Sequence, residues 1–247
     1  MTLLVALRGK DGIVAAADSR GTFGDPRGVT AQNDSQKKVH IVAPHAAVLI
    51  AGAGELGTQL ILEITNTART NRIDGVSNVL ELVRRVARQR YAEWFPHLPP
   101  AVVPGMAGIG RPDLQFVVVG YDSDATGNYT QPRLYSSASA LDFPPSLHEY
   151  GFVLSGVAQY ALYLLNRLYE ADRTLSDLRS LAVYVITETA SQDGKVGGPV
   201  RCVTITPEGA SDMTDEQIAE IHSSNEVRAA SLRESFYTSS DGETTDG

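Results

Sequence analysis

The chain has 247 residues, 43% of them hydrophobic and 20% charged, which suffices for one large domain or two small ones and excludes a globally disordered protein. The formal net charge of −8 disfavours a dedicated nucleic-acid-binding protein, because phosphate binding needs clustered positive charge. No apolar run reaches the roughly 18 residues of a membrane span, the single cysteine excludes internal disulfides, and the five histidines lack metal-ligand spacing. We therefore expect a cytoplasmic protein without metal or cofactor that binds neither nucleic acid nor a membrane.

The first 52 residues predict two β-hairpins separated by a polar segment. Each hairpin consists of two apolar runs that flank a turn signal: residues 3–8 and 13–17 around Gly9-Lys10-Asp11-Gly12, and residues 39–42 and 46–50 around Pro44-His45. The polar, glycine-rich residues 19–36 between the hairpins predict a loop or an irregular strand.

The rest of the chain alternates pairs of helices with blocks of strands. Apolar residues at helical spacing predict a helix around Leu56–Ile64 and a second helix from Asn78 to Phe95 with Ser77 as its N-cap. After a proline-rich loop at 96–112, the predicted elements are strands at 114–121, 133–135 and 152–154, helices at 158–170 and 175–190, a strand at 200–205 and a helix at 215–236. This order favours an α+β fold of antiparallel sheets with helices layered outside, not a doubly wound parallel sheet.

The geometry of the two hairpins predicts that polar residues meet at their open ends. If paired residues in the first hairpin have numbers that add to about 21, Asp18 lies beside Thr2. If those in the second add to 89 or 90, Lys38 lies opposite Ala51-Gly52. When the open ends meet, Thr2, Asp18, Lys38 and Gly52 form one group.

This group suits nucleophilic catalysis by an N-terminal threonine. Removal of Met1, which a small second residue favours, would give Thr2 a free α-amine, and a threonine hydroxyl needs such a base. The α-amine has an unperturbed pKa of about 7.7–8.0. A neighbouring Lys38 ammonium would lower that pKa further, and the Asp18 carboxylate would keep the lysine charged and oriented. The backbone N–H of Gly52 could approach a developing oxyanion.

Together with several short motifs, these residues resemble a proteasome β-type subunit, which is a threonine peptidase of the N-terminal nucleophile hydrolase class. The resemblance covers about residues 2–210 and rests on segments that occur in the family's order: Thr2, Val14–Arg20, Lys37-Lys38-Val39, Ala51-Gly52, Ser155-Gly156, and Asp193 with Gly197-Gly198.

The resemblance implies a catalytic role for six matching residues: Thr2 as nucleophile with its amine as base, Lys38 tuning that amine, Asp18 fixing Lys38, the Gly52 N–H as oxyanion hole, and Ser155 and Asp193 orienting the amine. Two features depart from the family pattern. The loop between Arg20 and Lys37 is about four residues longer than usual, and Val196 occupies a position where the family places a serine.

The same alignment predicts the pocket for the side chain that precedes the scissile bond. Ile50 would form its floor, and Gly21 and Gly54 would line its walls. Such a pocket is apolar and penalises a charged side chain by desolvation, so we expect cleavage after Leu, Phe or Tyr in preference to Asp, Glu, Lys or Arg.

The resemblance further implies a four-layer α-β-β-α sandwich in which two antiparallel sheets are flanked by helices. It implies a cytoplasmic endopeptidase acting on unfolded polypeptides, and self-assembly into stacked rings, with or without other ring subunits or an ATPase activator. We predict three regions: a proteasome-type domain at 1–213, a C-terminal helical extension at 214–237 and a disordered acidic tail at 238–247.

Two other functions remain open from the sequence. The first is a catalytically silent ring subunit, which we expect to carry an extended N-terminal segment in the cleft, whereas this chain has Thr2 directly after Met1. The second is an N-terminal nucleophile amidase that acts on a small molecule, for which the loop at 96–112 would serve as a lid.

Overall fold

A computed structural model of the protein describes residues 2–25, 28–99 and 110–237. These ranges contain twelve β-strands: β1 (Leu3–Arg8), β2 (Ile13–Ala17), β3 (Gly21–Asp25), β4 (Gly28–Asn33), β5 (Val39–Ala43), β6 (Ala46–Gly52), β7 (Leu114–Ser123), β8 (Tyr129–Ala138), β9 (Ser146–Leu147), β10 (Phe152–Gly156), β11 (Arg201–Thr206) and β12 (Gly209–Asp212). They contain five α-helices: α1 (Gly54–Thr70), α2 (Val76–Trp94), α3 (Gln159–Leu168), α4 (Leu175–Gln192) and α5 (Asp215–Tyr237).

The strands form two five-stranded antiparallel sheets and one small hairpin. The first sheet has the order β10-β1-β2-β11-β12, the second has the order β5-β6-β7-β8-β9, and β3 pairs only with β4. Helices α1 and α2 pack on the second sheet, and α3 and α4 lie on the side of the first. The predicted α+β, four-layer α-β-β-α sandwich is therefore confirmed.

Strand β1 shows why the predicted strands are continuous apolar runs. All five side chains of Leu3–Leu7 are fully buried. Leu3, Val5 and Leu7 face the helices, while Leu4 and Ala6 face the other sheet. A strand covered on both faces has no solvent side, so it carries no polar alternation. Burying each leucine contributes on the order of 1.5–3 kcal/mol.

The register of the first hairpin matches the prediction and that of the second does not. Leu4 pairs with Ala17, so the first hairpin has the expected offset. In the second hairpin the register shifts next to Val42, which makes one extra residue on β5. As a result, the Ile50 N–H bonds to the Lys38 carbonyl at 2.9 Å, so Lys38 lies opposite Ile50 and not opposite Ala51-Gly52.

One further local prediction is refined and another is wrong. Residues 19–36, predicted as a loop or an irregular strand, contain the hairpin of β3 and β4, whose pairing has a shift of register. Ser77 is not the N-cap of α2, which begins at Val76 after Gly75. The Ser77 hydroxyl and N–H instead donate to Asp122 on β7, at 2.6 and 2.9 Å, so this acidic residue satisfies donors in the first turn.

The long C-terminal helix α5 is attached to the body mainly at its first half. Its buried residues are Ile218 and Asn225, and the Asn225 amide donates to the Ser180 carbonyl on α4 at 2.9 Å. Most of the predicted proline-rich loop (100–109 of 96–112) and the predicted tail at 238–247 lie outside the described residues. In the ranges given above, no helix is long and apolar enough to cross a membrane, and no acidic, histidine or cysteine cluster could hold a metal ion.

Burial makes Cys202 on β11 a poor nucleophile. It is 3% exposed, and burial raises the pKa of its thiol to about 12. At pH 8 only about one molecule in 10⁴ would then carry the thiolate. We expect iodoacetamide to leave Cys202 unmodified in the native protein and to alkylate it fully in guanidinium chloride, as read by intact mass. Stoichiometric labelling without denaturant would contradict this expectation.

Candidate active site

Thr2 is buried at the start of β1, and the end of β10 holds its backbone. It is 7% exposed, and its carbonyl accepts the Val157 N–H at 2.8 Å. Gly156 has a φ of +85°, and a Cβ at that position would collide with the Thr2 carbonyl. Only glycine fits both conditions, so the Ser155-Gly156 motif keeps β10 close to Thr2.

The Asp18 carboxylate joins four segments of the chain. Its Oδ1 accepts the Leu3 N–H at 2.9 Å and the Lys38 Nζ at 2.8 Å. Its Oδ2 accepts the Arg20 N–H at 3.2 Å and the Gly197 N–H at 3.0 Å. With no solvent exposure and four donors, this side chain is held in one orientation. It lies next to Thr2, as the first hairpin predicts.

Lys38 is buried against Asp18. Its ammonium is 2% exposed and donates to Asp18 and, at 2.6 Å, to the Arg20 carbonyl. Burial lowers the pKa of Lys38, and the Asp18 carboxylate opposes that shift. Among the residues that the structure describes, the third ammonium N–H has no acceptor, and Lys38 and Thr2 line the same small cavity.

Arg20 and Asp34 form a clamp that the sequence analysis missed. Two guanidinium nitrogens bond to the Asp34 carboxylate at 2.7 and 2.8 Å, and a third donates to the Gly194 carbonyl at 3.1 Å. The hydrogen bond to Asp34 raises the pKa of Arg20, and the bond to Arg20 lowers the pKa of Asp34. A Cβ on Gly197 would come within 2.6 Å of the guanidinium carbon. The clamp thus ties the segment before β5 to the loop that gives Asp18 its Gly197 N–H.

Gly52 ends β6 in a conformation that requires glycine. Its φ is +103°, and a Cβ would collide with the Asp113 carbonyl. Helix α1 begins at Gly54, so its N-terminus, with its partial positive charge, faces the same cleft as Thr2. Both features suit the stabilisation of a developing negative charge.

Ser155 lies between the two sheets, and a glutamine is its partner. The side chain is 8% exposed, and its hydroxyl donates to Gln115 Oε1 from β7 of the facing sheet. The sequence analysis missed Gln115. The available signal was one amide within the apolar run Leu114–Val119, where a half-buried polar side chain needs a partner.

Asp193 does not join this group in the structure. Its carboxylate accepts the Lys195 N–H at 2.9 Å in the turn after α4. Within the described ranges it makes no hydrogen bond to Thr2 or Ser155. Val196, two positions from Gly198, is fully buried in the core beneath the first sheet and offers no hydroxyl.

An open cleft of about 580 Å³ lies in front of Thr2 and contains most of the predicted pocket residues. Among those that line it are Gly21, Gly52 and Gly54. The side-chain amide of Gln36 lies between two of these walls, since a Cβ on Gly21 would be 2.9 Å from its oxygen and a Cβ on Gly54 would collide with its nitrogen.

Ile50 lies beneath the cleft and packs against α1. A Cβ on Gly57 would be 2.7 Å from the Ile50 Cγ2. The space that Ile50, Gln36 and Thr2 enclose is only about 10 Å³, enough for one water molecule. In this conformation Gln36 therefore fills the mouth of the predicted pocket.

Comparison with known proteins agrees with this arrangement. The model of the family described as proteasome subunit matches residues 2–205. The chain belongs to the proteasome subunit family. The predicted resemblance to a proteasome β-type subunit is confirmed by this match together with the relatives below, and α5 lies beyond the matched residues.

Curated relatives in the family are similar to this chain over 74% to 96% of their own length. Proteasome subunit beta 2 of Pyrococcus abyssi is 27% identical over 89% of this chain and 94% of its own. Proteasome subunit beta 1 of Thermococcus kodakarensis is 28% identical over 89% and 96%. Proteasome subunit beta 2 of Thermomonospora curvata is 26% identical over 89% and 74%.

Among solved structures, a (Gly-1) mutant of Anbu from Hyphomicrobium sp. strain MC1 has the same fold. The TM-score is 0.69, and the match covers 99% of this chain and 100% of that one. Sequence identity is 17%, so this similarity concerns the fold.

Proposed function

We propose that the protein is a proteasome-type threonine endopeptidase, in which Thr2 becomes the nucleophile once Met1 is removed. The observation that carries the proposal is the buried Lys38–Asp18 pair beside Thr2, at the end of a cleft that also contains Gly52. Burying an ion pair costs desolvation energy, which packing alone would not require. A catalytic role accounts for the buried pair, because a cation held beside an α-amine favours the neutral, basic form of that amine.

Each step of peptide hydrolysis then has a candidate group. The Thr2 hydroxyl oxygen attacks the substrate carbonyl carbon while its proton passes to the α-amine nitrogen. The resulting oxyanion is bound by the Gly52 N–H, in the field of the α1 N-terminus. The ammonium returns the proton to the leaving amine and leaves an ester on Thr2. Water then hydrolyses the ester by the same proton path, which regenerates the hydroxyl.

The family suggests how such an enzyme would be kept from folded proteins. Proteasome family members assemble into stacked rings, and we propose that copies of this chain do so, with or without other ring subunits or an ATPase activator. Unfolded polypeptides would be the substrates, because an extended chain can enter the open cleft in front of Thr2 more readily than a folded protein can.

The direct test combines the state of the N-terminus with activity. We expect intact mass and N-terminal sequencing of the purified protein to show loss of Met1, and an electrophilic peptide probe to label Thr2, as mapped by tandem mass spectrometry. Fluorogenic peptides and small amides are assayed in parallel. Cleavage of small amides alone would favour a small-molecule amidase, and no labelling together with a retained Met1 would favour a silent ring subunit.

Gln36 leads to a prediction about the pocket for the residue before the scissile bond. We expect Gln36→Ala to open the space above Ile50. The ratio of kcat/KM for a peptide with Leu before the scissile bond to kcat/KM for one with Ala there should rise about tenfold, since each buried CH₂ contributes about 0.8 kcal/mol. Peptides that differ only at this residue give the ratio.

The matched control is Gln89→Ala, an exposed glutamine on α2. It should leave the Leu-to-Ala ratio at the wild-type value. If Gln36→Ala also leaves the ratio unchanged, Gln36 does not limit this pocket. Faster cleavage after Arg or Glu than after Leu would reject the apolar floor at Ile50.

A further inference from the structure

We propose that Gln115 is a positioning residue that fixes the direction of the hydrogen bond made by Ser155. The inference rests on the proposed function, in which the Thr2 amine is the base. In this proposal Gln115, on the facing sheet, takes the orienting role that the family resemblance implied for Asp193.

The orientation of the Gln115 amide follows from its second contact. Its Nε2 donates to Asp113 Oδ2 at 3.1 Å. An ionised carboxylate can only accept hydrogen bonds, so the NH₂ group must face Asp113. The carbonyl oxygen of the amide therefore faces Ser155 and can only accept. The Ser155 proton must then point at Gln115, which is the bond observed.

This direction matters for the Thr2 amine. A serine hydroxyl has one proton and two lone pairs. Because its proton is engaged by Gln115, Ser155 can accept an N–H from the amine but cannot donate to the amine's lone pair. That lone pair stays available for the proton of the Thr2 hydroxyl. Ser155 lies in the segment that pairs beside Thr2: Ser155 pairs with Leu4, and the N–H of Val157, two residues later, bonds to the Thr2 carbonyl.

In the described parts of the chain, no other side chain fixes the direction of the hydrogen bond made by the Ser155 hydroxyl. Gln115 is the only side chain bonded to the Ser155 hydroxyl there. Asp193 is engaged by the Lys195 N–H, and Val196 is apolar and fully buried. Without Gln115, the Ser155 hydroxyl would be free to rotate and donate to the amine.

The test compares Gln115→Leu with Gln115→Glu. In Gln115→Leu, Ser155 is free to donate to the neutral amine, which stabilises the neutral form and occupies its lone pair. We expect kcat to fall 10- to 100-fold with little change in KM, and the acid limb of the kcat/KM profile to move to lower pH. Gln115→Glu is combined with Asp113→Asn, so that an amide again donates to a carboxylate between these two positions. This double variant keeps an accepting oxygen facing Ser155 and should restore kcat to within about fivefold of wild type.

A second readout does not depend on catalysis. We expect ¹⁵N NMR titration of the Thr2 amine to give a lower pKa in Gln115→Leu than in wild type. The control is Gln131→Leu, an exposed glutamine on β8 of the same sheet, which should change neither kcat nor this pKa. A purely structural role for Gln115 would lower the melting temperature and leave the amine pKa and the acid limb unchanged.

The outcomes separate this proposal from the proposed function. If the wild type cleaves peptides and Thr2→Ala does not, but Gln115→Leu keeps the wild-type kcat and amine pKa, the positioning role is rejected and the nucleophile stands. A folded double variant, Gln115→Glu with Asp113→Asn, that is as impaired as Gln115→Leu would also reject it. If Thr2→Ala retains the activity, the proposed function fails, and the amine pKa alone then decides whether Gln115 directs Ser155.

Discussion

Thr2→Ala should lower peptide hydrolysis at least a thousandfold while leaving fold and assembly unchanged. In the candidate site, Thr2 is the hydroxyl whose own α-amine can accept its proton, and alanine keeps that amine while it removes the oxygen. Fluorogenic peptide assays on the purified variant, together with its melting temperature and its size by chromatography, provide the measurement. Residual activity above a few percent of wild type would show that another group is the nucleophile.

Two controls make this result specific. Thr2→Ser retains a hydroxyl and the amine and should keep measurable activity. Thr130→Ala changes a threonine on β8 at the sheet surface and should behave like wild type. A loss of activity in Thr130→Ala as large as that in Thr2→Ala would point to general damage.

Lys38→Ala and Lys38→Arg should each lower kcat/KM at least a hundredfold, whereas Lys37→Arg should change it less than twofold. The Lys38 ammonium occupies a buried site between Asp18 and the Arg20 carbonyl, and guanidinium is too large for that site. Lys37 is exposed, and neighbouring residues of an extended segment point to opposite sides. Peptide assays at several pH values provide the measurement, and equal losses at both positions would reject the assignment.

Stability must be measured alongside activity for Lys38. Removing one partner of a buried ion pair costs about 3–5 kcal/mol, because the other charge remains buried. The double variant Lys38→Met with Asp18→Asn removes both charges and should recover part of the free energy of unfolding without recovering activity. Recovery is incomplete because the asparagine NH₂ group cannot accept the Leu3 N–H, which Asp18 Oδ1 accepts in the wild type. If the double variant is active, the pair serves stability alone.

Predictions from the sequence were correct where local patterns of apolar and turn residues constrain the structure tightly. Apolar runs and turn signals correctly predicted the first hairpin and the position of Asp18, because strands buried on both faces leave little freedom of register. The extra residue at Val42 was not predictable, since a bulge depends on how the strand bends against its neighbours. It moved Lys38 by one position along β6 without removing it from the site.

Contacts between distant parts of the chain were not predictable from one sequence. Gln115 and Ser155 are 40 positions apart and meet only because the two sheets stack face to face. Gln36 enters the pocket because the hairpin of β3 and β4 ends just before it. Motif matching placed Asp193 near the amine, whereas in the structure the Asp193 carboxylate accepts the Lys195 N–H of its own turn.

The sequence positions of the four donors around Asp18 determine when this hydrogen-bonded group can form during synthesis. They come from Leu3, Arg20, Lys38 and Gly197, so the farthest donor is 179 residues away in the chain. Closing so long a loop has an entropic cost that grows with its length and is offset only when most of the core has formed. During synthesis the ribosome makes Thr2 long before it makes Gly197. A nascent chain therefore carries Thr2 without the assembled carboxylate, and the proposed catalytic group can form only after Gly197 has been made.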